Sequence, residues 1–330
     1  MTNRRAFHHI LGSVLGASMA GVRAQPSNRL YRVGVLRGTG APSALTSFSA
    51  EVLLSKAFAR LGYVEGRNLH LEYRYGDGDP PRLQSHARDL AQQRVDVILA
   101  IGSSAIRAAM EATTSIPIVF FNNSDPVAAG LVQSLARPGR NVTGVLITPE
   151  GTLGAKKLEL LKAAVPSAHR AAVLGSDESN ARPQMPELQR AATTLGIDLT
   201  LITLRNRDIG EAFQRIVATK PDALFIAAES YFVINSGPVI SHTLQYRLPS
   251  MWEWREQVQD GGLMSYGTSL VSRWEQVASH VERILKGAKP AETPVDMPMN
   301  LSLALNLATA RAIGLQIPQS LVLRADEVIR

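Results

Sequence analysis

The chain has 330 residues and a mass of 35.7 kDa, a length that favours roughly two domains. With 45% hydrophobic, 19% charged and 5% aromatic residues, the composition excludes disordered and fibrous proteins and predicts cores filled mainly by aliphatic side chains. Three of the 35 basic residues lie in the N-terminal segment, and the remaining excess over 28 acidic residues is too small and dispersed for a nucleic-acid surface. The absence of cysteine excludes disulfides, thiolate metal sites and cysteine nucleophiles.

The first 24 residues have the pattern of a cleavable signal peptide. Arg4 and Arg5 precede an uncharged apolar stretch over 10–22, and small residues occupy the positions that a signal peptidase reads before cleavage after Ala24. The apolar stretch is too short to span a bilayer. Because both twin-arginine and Sec signals hold arginine pairs, both export routes stay open. Either route predicts a mature protein in the periplasm.

From residue 32 onward, short apolar runs alternate with Ala- and Leu-rich helical patterns, which indicates βαβ units and a parallel sheet. A first series predicts strands over 32–36, 69–73, 95–101 and 116–121, with helices over 49–61, 82–93 and 105–112. A second series predicts strands over 171–174, 198–204, 223–227, 249–252 and 263–265, with helices over 184–195, 209–218 and 239–246. One more strand and helix are expected within 301–314.

Four landmarks recur in the same order in the two series, at a nearly constant spacing. They pair Arg32–Leu36 with Arg170–Leu174, Leu61-Gly62 with Leu195-Gly196, the stretch from Arg94 with the stretch from Lys220, and Ile116-Pro117 with Leu248-Pro249. This repetition favours two lobes of like topology, although short apolar matches also arise by chance. The predicted fold class is therefore α/β, with two doubly wound Rossmann-like lobes joined by a hinge.

The predicted lobes are residues 25–150 and 151–296, and a return segment over about 297–330 is expected to rejoin the first lobe. The chain is expected to cross between lobes near 149–154, 266–270 and 294–299. In such a pair the carboxyl ends of both sheets face one cleft, and hinge closure buries a small solute between them.

Several ordered strings in the mature chain resemble the tryptophan-binding (TrpX-like) family of ABC-transporter substrate-binding proteins. They are Gly62-Tyr-Val-Glu-Gly-Arg-Asn68, Glu72-Tyr-Arg74, Asp125-Pro126, Ser134-Leu-Ala-Arg-Pro-Gly-Arg-Asn-Val-Thr-Gly144, Gly154-Ala-Lys-Lys-Leu-Glu-Leu-Leu161, Gly261-Gly-Leu-Met-Ser-Tyr-Gly267, Ile284-Leu-Lys-Gly-Ala-Lys-Pro290 and Arg324-Ala-Asp-Glu-Val328. The resemblance implies a type I periplasmic-binding-protein fold, and delivery of a small solute to an inner-membrane permease with its cytoplasmic ATPase. Some relatives of this kind bind aromatic amino acids, but a fold alone does not fix the ligand.

Candidate ligand-binding residues in the first lobe follow the third and fourth predicted strands. Ser103 and Ser104 lie where a strand meets a helix, so their hydroxyls and the helix N–H groups suit a carboxylate, while the alternative is a simple helix cap by Ser103. Asn122 and Asp125 follow the next strand, and the Asp125 carboxylate suits a ligand ammonium. Since Asp-Pro pairs also open turns, both interpretations of Asp125 stay open.

The second lobe offers Ser176 after one predicted strand, and Glu229 and Tyr231 after another, all at the edge expected to face the cleft. The three tryptophans fall within 23 residues of one another, with Tyr266 nearby. Trp254 and Tyr266 are the predicted aromatic contacts of the ligand. The alternative for the other rings is a core position for Trp252, and a buried helix face over 273–285 for Trp274.

The predicted function is an exported, monomeric solute receptor that binds an amino acid, possibly aromatic, and makes or breaks no bond. Ser103 and Ser104 would hold the carboxylate, while Asp125 and Glu229 would hold the ammonium. No cofactor, metal or nucleic acid is expected, since Walker, His-Glu-x-x-His and Gly-x-Ser-x-Gly motifs are absent from the sequence. The alternatives are a periplasmic enzyme or sensor on the same scaffold, for which the sequence offers no nucleophile with a base. A transcription-regulator effector domain is disfavoured by the export signal.

Overall fold

The computed structural model describes residues 29–42, 45, 48–123, 125–147, 153–177, 181–298 and 300–330. The predicted signal peptide and its cleavage site lie outside these residues, as does most of the first predicted crossing. Among the helices of the described residues, none is long and apolar enough to span a membrane.

The first lobe contains a five-stranded parallel sheet in the order β2-β1-β3-β4-β5. Its strands are β1 (Tyr31–Arg37), β2 (Leu69–Tyr75), β3 (Val97–Ile101), β4 (Ile118–Asn122) and β5 (Val142–Leu146). Its first three helices are α1 (Ala50–Arg60), α2 (Pro80–Gln92) and α3 (Ser103–Ala112). All of these agree with the predicted elements to within a few residues except β5, in which Thr143 and Gly144 interrupt the apolar pattern.

The second lobe contains a seven-stranded sheet in the order β12-β11-β10-β9-β8-β6-β7. Its strands are β6 (Arg170–Gly175), β7 (Asp198–Thr203), β8 (Ala223–Ile226), β9 (Ser250–Trp252), β10 (Met264–Gly267), β11 (Ser302–Asn306) and β12 (Glu327–Ile329). The described helices after β5 are α4 (Leu153–Ala164), α5 (Met185–Leu195), α6 (Ile209–Ala218), α7 (Ser230–Ile234), α8 (Ser236–Gln245), α9 (Arg255–Gln259), α10 (Leu270–Leu285), α11 (Leu307–Ala312) and α12 (Gln319–Val322). The neighbouring strands β7-β6-β8-β9-β10 repeat the order of the first sheet, which confirms the prediction of two like α/β lobes.

The repeat extends to matching hydrogen bonds at the start of the third strand of each lobe. The Asp96 carboxylate accepts from the backbone N–H of Arg32 at 2.8 Å, and the Asp222 carboxylate accepts from the backbone N–H of Arg170 at 2.9 Å. The residue two positions before each aspartate has a positive φ, 52° and 49° respectively. The hydrogen bonds that Asp222 accepts from the backbone N–H groups of His169 and Arg170 lower its pKa, and the bond from His169 contributes most. Each aspartate thereby fixes its third strand beside its first.

Helix α10 belongs to the first lobe although it follows the second lobe's β10 in the chain. Its buried face packs on β3, β4 and β5 and against α1, and the rings of Trp274 and Phe121 lie with their centroids 4.7 Å apart. After α10, the backbone of Asp296 pairs with β5, where its carbonyl accepts from the Leu146 N–H at 2.8 Å. Helix α10 therefore covers one face of the first sheet, and the segment around Asp296 pairs with its edge strand β5, although both follow the second lobe's β10 in the chain.

The expected return of residues 297–330 to the first lobe is wrong. Strand β11 pairs antiparallel with β10, and β12 pairs with β11, so the C-terminal segment extends the second sheet. Three crossings carry a chain that starts in the first lobe to an end in the second. Leu303 and Leu305 accordingly lie in the core of the second lobe. The part of 151–296 that returns to the first lobe is instead α10 with the segment around Asp296.

We expect a fragment that ends at residue 150 not to fold by itself. Such a fragment lacks α10, so the apolar face of the first sheet that α10 covers would be exposed to water. Circular dichroism of the fragment should show no cooperative thermal transition, while a chain that contains both lobes should show one. A cooperative transition in the fragment would contradict this account of the first lobe.

Candidate ligand-binding site

The candidate site is built at the carboxyl ends of the parallel strands in both lobes. In the first lobe, Ser103 and Ser104 open α3 directly after β3, and Asn122 ends β4. In the second lobe, Ser176 follows β6, and Glu229 precedes α7 after β8. Eight of the nine predicted site residues lie at or just beyond a strand end, whereas Tyr266 lies within β10.

Ser103 is not the cap of α3. The N-cap is Gly102, whose φ of 85° favours glycine, and it makes no side-chain capping bond. The Ser103 hydroxyl instead donates to Asn122 Oδ1 at 3.4 Å, and Asn122 is only 2% exposed. The alternative of a simple cap by Ser103 is therefore wrong, and the hydroxyl joins the ends of β3 and β4.

Ser104 is exposed and lies against the loop after β1. A Cβ atom added to Gly38 would come 2.4 Å from the Ser104 hydroxyl oxygen, so this hydroxyl lies directly against the backbone at position 38. The first-lobe half of the site thus presents a hydroxyl, a glycine backbone and the first N–H groups of α3, a combination that suits an anion.

Asp125 closes a turn in the loop after β4. Its Oδ1 atom accepts from the backbone N–H of Val127 at 2.7 Å and of Ala128 at 3.1 Å. These bonds match the turn interpretation of the Asp-Pro pair. The ligand-binding role of Asp125 stays a prediction.

Glu229 is the central polar group of the second-lobe half. Its carboxylate accepts from the Ser176 N–H, at 3.2 Å to Oε1 and 3.1 Å to Oε2, and also from the Ser176 hydroxyl. Burial raises the pKa of Glu229 from 4.5 to about 7, against the opposing effect of these hydrogen bonds, and the nearby charge of Asp177 raises it further. Ionisation of Glu229 is therefore less favourable than that of an exposed glutamate, and a nearby cation would favour it.

The two halves are related by the repeat. Both α3 and α7 follow the third strand of their lobe, so Ser103 at the start of α3 and Glu229 just before α7 lie at equivalent strand ends. One half presents hydroxyl groups, and the other half presents a partly desolvated carboxylate. The site is therefore polarised from a half that suits an anion to a half that suits a cation.

Tyr231 lies on α7, and its hydroxyl donates to the Arg207 carbonyl at 3.3 Å. Its ring contacts the ring of Phe232 edge-on, with centroids 5.4 Å apart. Burial raises the pKa of Tyr231. The structure thus joins Tyr231 to the loop after β7, whereas Ser176 is joined to Glu229.

The structure separates the two predicted aromatic ligand contacts. Trp254 is 5% exposed and lies in the apolar cluster that contains Leu270 and Trp274. Tyr266, within β10, is partly buried against the core of the second lobe. Trp252 is fully buried and donates from its indole N–H to the Ser250 hydroxyl at 2.9 Å, which agrees with its predicted core position. Trp254 is thus mainly a core side chain between the lobes.

Two groups of polar residues are not predicted from the sequence. The first, which we call the Arg37 cluster, consists of Arg37, Glu51 and Tyr75. In it, Glu51 Oε1 accepts from Arg37 Nη1 at 2.8 Å and from the Tyr75 hydroxyl at 3.0 Å. Burial, reinforced by the charge of Glu51, raises the pKa of Tyr75. A polar residue at the end of the apolar strand β1 is the signal that points to Arg37.

Glu256 forms the second overlooked group, at a crossing between lobes. It is 3% exposed, and its carboxylate accepts from the Ser269 hydroxyl at 2.6 Å and from the N–H groups of Leu270 and Val271 at 3.1 and 3.2 Å. A carboxylate at the first turn of a helix also complements the helix dipole. Glu256 therefore joins α9 of the second lobe to the start of α10.

Residues 49–329 match the family described as ABC transporter substrate binding protein, and the chain belongs to this family. It is 27% identical, over 264 residues, to the tyrosine-binding protein of Clostridioides difficile, which covers 79% of this chain and 75% of that protein. Two solved structures share its fold: a conserved domain protein of Vibrio cholerae (28% identity, TM-score 0.75) and an ABC domain of Streptococcus pneumoniae in complex with L-Trp (24% identity, TM-score 0.73). Each alignment covers 91% of this chain and 100% of the other.

We expect Glu229→Gln to change the pH dependence of stability. Because the pKa of Glu229 rises from 4.5 in the unfolded chain to about 7 in the fold, the unfolded chain binds fewer protons between these values, and this group lowers stability as the pH rises through them. The variant lacks this loss, so it should be more stable relative to the wild type at pH 8 than at pH 5. Urea unfolding at both values measures the difference.

Glu159→Gln, which removes an exposed carboxylate paired with Lys156, is the matched control and should show no such pH-dependent difference. A Glu229→Gln variant whose relative stability is the same at pH 5 and pH 8 would contradict the raised pKa.

We expect Trp254→Ala to destabilise the ligand-free protein by about 3–5 kcal/mol, because it opens a cavity in the core that α10 shares with the first sheet. Trp254→Phe should cost less, since it keeps most of the buried ring. Chemical unfolding without ligand measures both. Wild-type stability of Trp254→Ala would show that Trp254 does not serve as a core side chain.

Proposed function

We propose that this protein is the exported receptor of an ABC importer and that it binds an amino acid between its two lobes. Family membership supports a small-molecule ligand and a membrane transporter as partners. The polarised site is the observation that carries the proposal, because an amino acid has an anionic and a cationic group on adjacent atoms.

The α-carboxylate is proposed to bind at the first lobe. The Ser104 hydroxyl and the N–H groups at the start of α3 are donors on one surface, and Ser103, whose hydroxyl donates to the Asn122 amide, adjoins them. Donors of this kind, at the positive end of a ten-residue helix, stabilise a carboxylate.

The α-ammonium is proposed to bind Glu229, with Ser176 holding that carboxylate in place. A cation beside Glu229 favours its ionised form, so binding recovers the cost of burial that the ligand-free protein bears. Asp125, whose Oδ1 atom bonds within its own turn, is proposed as a secondary contact of the ammonium.

An aromatic side chain is proposed on the strength of the relatives, one described as tyrosine-binding and one solved with L-Trp. Since Trp254 is buried in the core, Tyr266 and Tyr231 are the aromatic rings proposed to border the ligand. The protein is proposed to act by binding and release without chemistry, as a monomer that docks on a permease bearing a cytoplasmic ATPase. The signal-peptide pattern of residues 1–24 supports delivery to the periplasm.

The proposal is tested by thermal unfolding and calorimetry of mature protein that has been refolded to remove any bound ligand. Aromatic amino acids should stabilise it, by about 2.7 kcal/mol at a hundredfold excess over Kd, while sugars, nucleosides and organic acids should not. Stabilisation only by one of those other classes would overturn the amino-acid assignment.

The role of Glu229 predicts a pH-dependent affinity. Because the ligand ammonium binds the ionised carboxylate, affinity should rise from pH 6 to pH 8 as Glu229 loses its proton. Glu229→Gln should weaken binding by roughly 10- to 100-fold at pH 8 and remove this pH dependence, while Glu159→Gln should leave both unchanged. Wild-type affinity in Glu229→Gln would contradict the ammonium contact.

A further inference from the structure

The Arg37 cluster borders the proposed carboxylate site. Arg37 ends β1 and lies opposite Tyr75, the last residue of β2, while Glu51 lies in the first turn of α1. The residue after Arg37 is Gly38, which the Ser104 hydroxyl approaches so closely that a Cβ there would lie 2.4 Å from it. The cluster and the serines of α3 therefore share one edge of the first sheet.

The cluster leaves one donor and one acceptor unpaired. Arg37 is only 4% exposed, and among the residues the structure describes its Nε atom has no hydrogen-bond partner. The same holds for Oε2 of Glu51, whose other oxygen already accepts two bonds. Buried polar groups are normally paired, so an unpaired donor and acceptor in one ion pair call for a third group.

A hydroxyl is the group that matches this pair, because it accepts one hydrogen bond and donates another. A phenol hydroxyl would accept from Arg37 Nε and donate to Glu51 Oε2. An indole N–H only donates, so it would satisfy Glu51 alone. A phenyl ring satisfies neither atom.

We propose that the Arg37 cluster is the subsite that recognises the polar group on the side chain of the bound amino acid, with a preference for a hydroxyl. This inference rests on the proposed amino-acid function and adds to it a specificity determinant in the first lobe. It orders the aromatic amino acids by affinity as tyrosine, tryptophan and phenylalanine, because a site built to bond a hydroxyl disfavours the analogue that lacks one.

Calorimetry of the mature protein with each of these three amino acids at pH 8 tests the subsite. In the wild type, phenylalanine should bind at least about tenfold more weakly than tyrosine. Glu51→Gln replaces the carboxylate and should bring the two affinities to within about threefold, mainly by weakening tyrosine. Glu72→Gln is the matched control: Glu72 also pairs with an arginine, Arg32 at 2.9 Å, but lies three residues before the end of β2, and it should keep the wild-type ratio.

Tyr75→Phe is a second variant that retains the Arg37–Glu51 pair and removes one bond that orients Glu51. It should lower the preference for tyrosine while the fold, checked by circular dichroism, is kept. Equal affinity for tyrosine and phenylalanine in the wild type, or a wild-type ratio in both Glu51→Gln and Tyr75→Phe, would overturn the subsite and leave the amino-acid receptor in place. Failure of all three amino acids to bind, with binding of a sugar, nucleoside or organic acid, would overturn the proposed function itself.

Discussion

Burial of one face of α10 against the first sheet is the contact on which the arrangement of the lobes depends. The helix follows β10 of the second sheet, yet its apolar side chains complete the core of the first lobe. The chain must therefore leave the second lobe and later re-enter it, which gives three crossings. Glu256 strengthens the middle crossing, because its buried carboxylate bonds the first N–H groups of α10. These connections keep the two lobes together while each lobe has its own core.

The repeated topology explains why a polarised site can form. Each lobe places the loop after its third strand at the same relative position, so a mutation in one lobe changes only one half of the site. The first lobe has small hydroxyl side chains and a glycine there, and the second lobe has the carboxylate of Glu229, whose pKa is raised by burial. The proposed amino-acid ligand would satisfy both halves only by contacting residues of both lobes.

Much of the fold follows from the sequence, because strands buried on both faces are continuous apolar runs and the helices between them have regular apolar spacing. Strand β5 escapes prediction because Thr143, whose hydroxyl donates to the Thr293 carbonyl at 2.8 Å, makes a buried strand look polar. Asp125 could be assigned either to a turn or to a ligand, and only the bonds to Val127 and Ala128 show the turn. The sequence leaves the place of Trp254 open between a ligand pocket and a core, because tryptophan suits both. Its buried position depends on neighbours from distant parts of the chain, which the local sequence does not reveal.

The sequence by itself determined the α/β class, the two like lobes and the strand ends where the polar residues gather. These properties depend on local periodicity and on turn residues, which neighbouring positions encode. Only the tertiary structure decided that residues 302–329 extend the second sheet, that α10 covers the first, and that Arg37, Glu51 and Tyr75 meet. Such contacts join residues far apart in the chain, and they depend on which apolar face buries against which sheet, a choice that local pattern leaves open.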